Sequence, residues 1–217
     1  MQTLGSKTSP QKTFRALRFA LRQLAPRPEA FDLHAKVTPY FTPLQSRLSA
    51  QDAARDARLD ASAEVFVLDD DLRVALGDVV ARALLLVGRD RKHPSFIASF
   101  PTAPSDAAED LASDAQSRYV RLAIDALRTD ATFASISAEV DALEVKLNAL
   151  DAGRASRDAL WDAERAARQQ AAAAAESTRL AFNTIAPSLK LLYPGRRGLL
   201  RSFFLREEKE EGAAAAE

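Results

Sequence analysis

Residues 119–150 read YVRLAIDALRTDATFASISAEVDALEVKLNAL. Their apolar positions alternate between spacings of three and four residues, which is the a/d pattern of a helix in a left-handed coiled coil. These seam positions are Tyr119, Leu122, Ala126, Thr129, Phe133, Ile136, Val140, Leu143, Leu147 and Leu150. The spacing predicts a helix over 106–150, capped by Ser105 and packed along this seam against a neighbouring helix.

A second long helix is predicted upstream of this seam. Thr42 can cap a helix, Pro43 suits its first turn, and Gln45 can complete a capping box. We expect the helix to cover 43–91 and to end before His93-Pro94. Three consecutive aspartates at 69–71 are unfavourable inside a helix, so a break there is the alternative.

The chain after Leu150 allows two interpretations. Gly153 suits a helix C-terminus and Ser156 suits a new N-cap, which favours a hairpin and a third helix over 156–186. The alternative is one continuous helix through residue 186. In either case Pro187 ends the helix, and its alanine stripe would allow close packing against larger side chains.

These patterns predict an all-α protein. We expect an elongated antiparallel helical bundle, or coiled coil, of three long helices with short flanking helices at 12–25 and 28–37. Only 7 of 217 residues are glycine, which disfavours a β-sandwich or barrel because those folds need many tight turns. Cysteine is absent, which excludes disulfides and thiolate chemistry.

Charge is distributed unevenly along a chain whose net charge is zero. Residues 1–28 carry +6, 29–189 carry −7, 190–206 carry +5 and 207–217 carry −4. We therefore divide the chain into a basic N-terminal segment with a short amphipathic helix, a helical bundle domain, a basic-aromatic C-terminal segment and a disordered acidic tail.

The two basic segments contain the candidate partner-binding residues. The N-terminal residues are Arg15, Arg18 and Arg22, on one flank of the helix predicted over 12–25. The C-terminal residues are Arg196, Arg197, Arg201, Phe203 and Phe204. Either these segments pack on the acidic body, or they form docking surfaces for an anionic membrane or a protein groove.

The sequence contains no established catalytic motif. A phosphate-binding loop, a dinucleotide fingerprint, a nucleophile elbow and a zincin motif are all missing. Asp90-Arg-Lys-His93 is a single copy of a spacing that a di-iron bundle needs twice, so we expect no metal site there. We predict no catalytic, cofactor-binding or metal-binding residues, and no small-molecule substrate can be identified.

The leading functional hypothesis is a non-enzymatic interaction or scaffold protein that acts through coiled-coil association, with a protein partner or a second copy. The alternative is a peripheral membrane protein that uses 12–25 and 189–206 on an anionic surface. An amphipathic N-terminal helix before long coiled-coil helices resembles the layout of membrane-remodelling proteins such as the BAR-domain and phage-shock groups. The net charge of zero argues against nucleic-acid binding. Because residues 1–28 lack an apolar signal region, we expect a cytoplasmic location, with the inner membrane face as an alternative.

Overall fold

The structure is a computed structural model that describes residues 3–102 and 113–205. All regular elements in these ranges are helical, which confirms the predicted all-α fold. The predicted Ser105 cap, the first residues of the helix expected from 106, and the acidic tail lie outside the described residues. The α-helices are α1 (Pro10–Leu24), α2 (Phe31–Val37), α3 (Phe41–Leu86), α4 (Pro94–Ser99), α5 (Ser113–Thr129), α6 (Ser137–Asn183), α7 (Ile185–Leu192) and α8 (Arg197–Ser202).

The chain divides into two compact units. The end unit combines the chain up to Asp56 with the chain from Asp162, and the middle unit is Ala57–Trp161. The two longest described helices, α3 and α6, contribute residues to both units. In the middle unit α3 and α6 run antiparallel, because Arg82 pairs with Glu139 at 2.7 Å and Asp71 with Lys146 at 3.0 Å.

The start of α3 differs from the prediction. Thr42 is the second residue of α3 and is exposed, so its assignment as the N-cap is wrong. The preceding residues Thr38–Tyr40 form a turn of 3₁₀-helix that leads directly into α3. No extended residue therefore precedes the helix, and a capping side chain needs a residue in that conformation.

The end of α3 comes five residues before the predicted position. Gly88 and Arg89 both have positive φ angles, of 70° and 62°. The amide of Arg89 donates to the Leu84 carbonyl at 2.8 Å and that of Gly88 to the Leu85 carbonyl at 3.1 Å, which is the Schellman arrangement. Gly88 therefore ends the helix, and the His93-Pro94 stop lies beyond a short turn.

The aspartate triplet does not interrupt α3, so the alternative break is wrong. Asp69 pairs with Arg73 at 3.0 Å and with Arg154 at 3.4 Å. Asp71 pairs with Lys146 across to α6. These ion pairs satisfy carboxylates that would otherwise compete for the helix backbone, and the packing of α3 on α6 outweighs their poor intrinsic propensity.

The seam prediction is correct from Phe133 onward, whereas of the four earlier seam residues only Tyr119 is buried. Phe133, Ile136 and the later seam residues are buried, but Leu122 is 61% exposed. The buried face of α5 is instead formed by Val120, Ala123, Ile124 and Leu127. Helix α5 ends before Asp130, whose side chain accepts a hydrogen bond from the Thr132 amide at 2.9 Å. Residues Ala131–Ile136 then form a 3₁₀-helix. This segment turns by a different angle per residue, so the helices before and after it do not share one phase.

The predicted hairpin after Leu150 is wrong, because α6 is continuous from Ser137 to Asn183. Gly153 lies inside α6 against α3. A Cβ atom at residue 153 would lie 2.8 Å from Leu68 Cδ1 and 3.6 Å from Val65 Cγ2. The glycine therefore marks a close approach of the two helices and not a helix terminus.

We expect Gly153→Leu to lower the free energy of unfolding by about 1–3 kcal/mol, because extra methylenes would enter a filled contact with α3. Gly153→Ala is the matched control. Its cost should stay within about 1 kcal/mol, since Leu68 can rotate away and alanine gains helix propensity. Urea denaturation measures both changes. Equal stability of the leucine variant and the wild type would contradict the close approach.

A polar network joins α5 and α6 in the middle unit, and Arg154 extends it to Asp69 of α3 at 3.4 Å. Arg154 donates to Gln116 Oε1 at 2.8 Å and to Ser117 Oγ at 2.9 Å. Ser117 donates in turn to Asp151 at 2.7 Å, and Arg121 pairs with the same carboxylate. Burial raises the pKa of Asp151, but the hydrogen bonds from Ser117 and Arg121 outweigh it and leave the pKa below its usual value. The network therefore fixes α5 on α6 most firmly when Asp151 is ionised.

The core of the end unit is built from both ends of the chain. It contains Leu17, Ala20 and Leu24 of α1 and Leu33 and Val37 of α2. The later part of the chain adds Phe182, Ile185, Leu189, Tyr193, Leu200, Phe203 and Phe204. The amide side chain of Asn183 also exchanges two hydrogen bonds with the Leu4 backbone, at 2.9 and 3.1 Å. The two basic segments therefore contribute to one core.

Candidate functional site

The three arginines singled out on α1 line one surface cavity in the end unit. Ser9 caps α1 and Pro10 begins it, which sets the helical phase. At 3.6 residues per turn, Arg15, Arg18 and Arg22 lie on the side opposite the buried Leu17 and Leu24. The helix thus directs all three guanidinium groups away from the core and along one edge of the cavity.

The cavity has a volume of about 760 Å³ and a partly apolar wall. Phe14 of α1 and Phe41 of α3 stack with ring centroids 5.0 Å apart. Leu21 and Leu48 extend this apolar wall, and His34 reaches the cavity from α2. The site therefore combines a cationic edge with an aromatic and aliphatic surface.

The cationic edge is not neutralised within the described residues. None of Arg15, Arg18 and Arg22 forms an ion pair in the ranges 3–102 and 113–205, although Asp52 also lines the cavity. Arg15 and Arg18 are three residues apart, and Arg18 and Arg22 are four apart. Like charges at these spacings lie side by side on a helix and repel each other. An anion in the cavity would relieve this repulsion.

The C-terminal candidates lie elsewhere in the same unit. Arg196, Arg197 and Arg201 are exposed around α8 and do not line the cavity. Phe203 and Phe204 are buried, at 0% and 6% exposure. Phe203 stacks on Tyr193 and lies under the guanidinium of Arg27, whose carbon is 4.5 Å from the ring centroid. The two phenylalanines are therefore core residues in this structure, and of the five candidate residues in this segment only the three arginines face solvent.

The sequence analysis missed a second candidate surface, which we call the outer face of α3. It consists of five large apolar side chains that are each at least half exposed: Leu59, Phe66, Val67, Val74 and Leu85. Phe66, at 77%, is the most exposed of them. Leu59 and Phe66 are about two helical turns apart, and Val67, Val74 and Leu85 follow one another at about two and three turns. The adjacent Phe66 and Val67 differ by about 100° around the axis, so all five share one side of α3. The core residues Leu72, Leu76 and Val79 project from the opposite side.

Acidic side chains lie along the outer face of α3. Asp60, Glu64, Asp70 and Asp78 are exposed, and none forms an ion pair within the part of the chain that the structure describes. Asp70 lies within the apolar stripe between Phe66 and Val74. The face is therefore apolar apart from Asp70, and Asp60, Glu64 and Asp78 lie along one border of it.

The periodicity of α3 contained a signal for this face. Apolar residues on both sides of a helix leave little contrast between faces, and the sequence analysis assigned only one side to the core. Val65-Phe66-Val67-Leu68 is four consecutive apolar residues, which no single buried face of a helix can accommodate. That run was the observable sign of a second apolar surface.

The described residues contain no group of three or more His, Asp or Glu side chains placed to hold a metal ion. Among the same residues, no helix combines the length and the apolar character that crossing a bilayer requires. Comparison of the chain with models of protein families, with curated proteins and with solved structures gives no match.

Proposed function

We propose that this protein is a non-enzymatic helical interaction protein that self-associates through the outer face of α3. The observation that carries the proposal is the row of five large exposed apolar side chains on the side of α3 opposite the core. Large apolar patches on a protein surface often mark interaction sites. The row from Leu59 to Leu85 extends about 39 Å along the helix axis, which suits a coiled-coil contact.

A second copy of the chain is the occupant that we propose. Two outer faces placed together would bury ten large side chains, and each contributes about 1 kcal/mol when only its exposed half is removed from water. The same contact brings the acidic borders of both copies together. Because salt screens the repulsion between exposed carboxylates, self-association should strengthen as salt is added. A partner with basic borders would show the opposite salt dependence.

We expect Phe66→Glu combined with Val74→Glu to raise the dissociation constant of the dimer at least tenfold. The two changes place new charges in the middle of an apolar contact, whose desolvation is costly. Sedimentation equilibrium at several salt concentrations measures the constant. Circular dichroism should show an unchanged helix content, because both side chains are exposed in the single chain.

The matched control is Leu122→Glu combined with Val145→Glu. Both of these residues are also apolar and exposed, but they lie on α5 and α6. The control should associate like the wild type. A wild-type chain that sediments as a monomer at all salt concentrations would refute self-association, and equal losses in the two double variants would refute the assignment to α3.

A further inference from the structure

We propose that the cavity beside α1 binds a phosphate monoester that carries an apolar body. This inference is independent of self-association, because the cavity belongs to the end unit and the outer face of α3 to the middle unit. It rests on three properties of the cavity: a cluster of three guanidinium groups, a stacked aromatic pair in the wall, and a volume much larger than a simple anion.

The charge of the cluster selects the head of the ligand. Arg15, Arg18 and Arg22 lie along one edge of the cavity, and none of them forms an ion pair with another described residue. Guanidinium groups form paired hydrogen bonds with phosphate oxygens, and a phosphate monoester carries between one and two negative charges at neutral pH. Three neighbouring arginines therefore match a phosphate monoester better than a single carboxylate. The bound head would also remove the repulsion between Arg18 and Arg22.

The wall of the cavity selects the body of the ligand. Phe14 and Phe41 stack on each other and are only partly buried, so their edges remain available at the cavity. Leu21 and Leu48 adjoin them. The cavity is open to solvent, and its volume of about 760 Å³ is comparable to that of sites that bind small organic ligands. An inorganic phosphate would fill little of this space and would leave the apolar wall in contact with water.

Polar groups on α2 and α3 complete the specificity. His34 is half-buried on α2, and Gln45 and Ser49 face the cavity from the first turns of α3. These side chains offer hydrogen bonds to ester or hydroxyl oxygens between the head and the body. Asp52 on the same helix opposes additional negative charge in the ligand. We therefore infer one phosphate group per ligand.

The test uses the full chain and three soluble probes in isothermal titration calorimetry: dodecyl phosphate below its micelle concentration, inorganic phosphate and dodecanoate. We expect dodecyl phosphate to bind one molecule per chain, at least tenfold more tightly than either of the other two. Equal affinity for inorganic phosphate would overturn the role of the apolar wall. Equal affinity for dodecanoate would overturn the selection of a phosphate head.

The variant Arg18→Gln with Arg22→Gln assigns the binding to the cavity. It should weaken dodecyl phosphate at least tenfold while the melting temperature of the free protein is maintained, since both side chains are exposed. The matched control, Arg91→Gln with Arg118→Gln, removes the same charge from exposed arginines of the middle unit. Equal weakening in both variants, or none in the cavity variant, would overturn the site.

A second arm identifies the source of the phosphate monoester. The ligand is either a free amphiphile or a lipid within a bilayer, and both present the same head and an apolar body. Flotation with phosphatidylcholine vesicles that contain phosphatidic acid tests the bilayer. Flotation that depends on Arg18 and Arg22 supports the site with a membrane lipid as its ligand, whereas binding of dodecyl phosphate without flotation supports a free ligand. Binding of neither would overturn the proposal.

Discussion

Leu143→Ala should lower the free energy of unfolding by about 2–5 kcal/mol, the range for removing a large aliphatic side chain from a filled core. Leu143 is completely buried on α6. It belongs to the core cluster of the middle unit, which also contains Leu72, Leu76 and Leu127. Its loss would open a cavity between rigid helices that can collapse only in part. Urea denaturation followed by circular dichroism measures the change.

The matched control lies two residues away on the same helix. Val145 is exposed, so Val145→Ala should alter stability by no more than about 0.5 kcal/mol. The comparison separates burial from any general effect of alanine on α6. If Leu143→Ala costs as little as Val145→Ala, the buried face of α6 has been assigned to the wrong side.

The part of the fold that sequence periodicity predicts well is the part where one helix keeps one phase. Val140, Leu143 and Leu147 follow a regular spacing inside α6, and all are buried. Leu122 has the same spacing in the sequence but is exposed. The 3₁₀ segment after Asp130 changes the helical phase between α5 and α6. The spacing of apolar residues does not predict such a 3₁₀ segment, because its geometry depends on how Phe133 and Ile136 pack.

Local propensity was a poor guide where tertiary contacts oppose it. Glycine is common at helix ends, but Gly153 lies within α6, where the absence of a side chain makes room for Leu68. The aspartates at 69–71 remain helical, and two of them, Asp69 and Asp71, form ion pairs with Arg154 and Lys146 of α6. A glycine at a close approach and a glycine at a helix end are identical in sequence. Only the neighbour on α3 distinguishes them.

Helical spacing also predicted part of the candidate site. The helical spacing of Arg15, Arg18 and Arg22 placed them on one face, and the structure brings them to one cavity. Other residues that line the cavity come from α2 and α3. No local sequence pattern indicates that these two helices pack near α1. Phe203 and Phe204 illustrate the converse problem. An apolar and basic segment has the same sequence whether its phenylalanines face a partner or their own core.

The position of the C-terminal segment changes what its residues are expected to do. Leu200, Phe203 and Phe204 pack into the core of the end unit together with α1. Phe204 meets Phe182 of α6 edge to face, with centroids 5.9 Å apart. These contacts support the interpretation that the segment closes its own core. Arg196, Arg197 and Arg201 remain at the surface as exposed basic residues.

Phe203→Ala should therefore lower the free energy of unfolding by about 3–5 kcal/mol, which is the cost of removing a buried aromatic side chain. The ring is fully buried between Tyr193 and the guanidinium of Arg27, so its loss breaks contacts to both ends of the chain. Urea denaturation of the variant and of Leu191→Ala, a control at an exposed residue of α7, measures the effect. The control should stay within about 0.5 kcal/mol of the wild type.

A docking segment would behave differently, because its phenylalanines would contribute to partner binding and not to folding. Unchanged stability in Phe203→Ala would thus reject the closed core and return Phe203 and Phe204 to the list of candidate partner-binding residues.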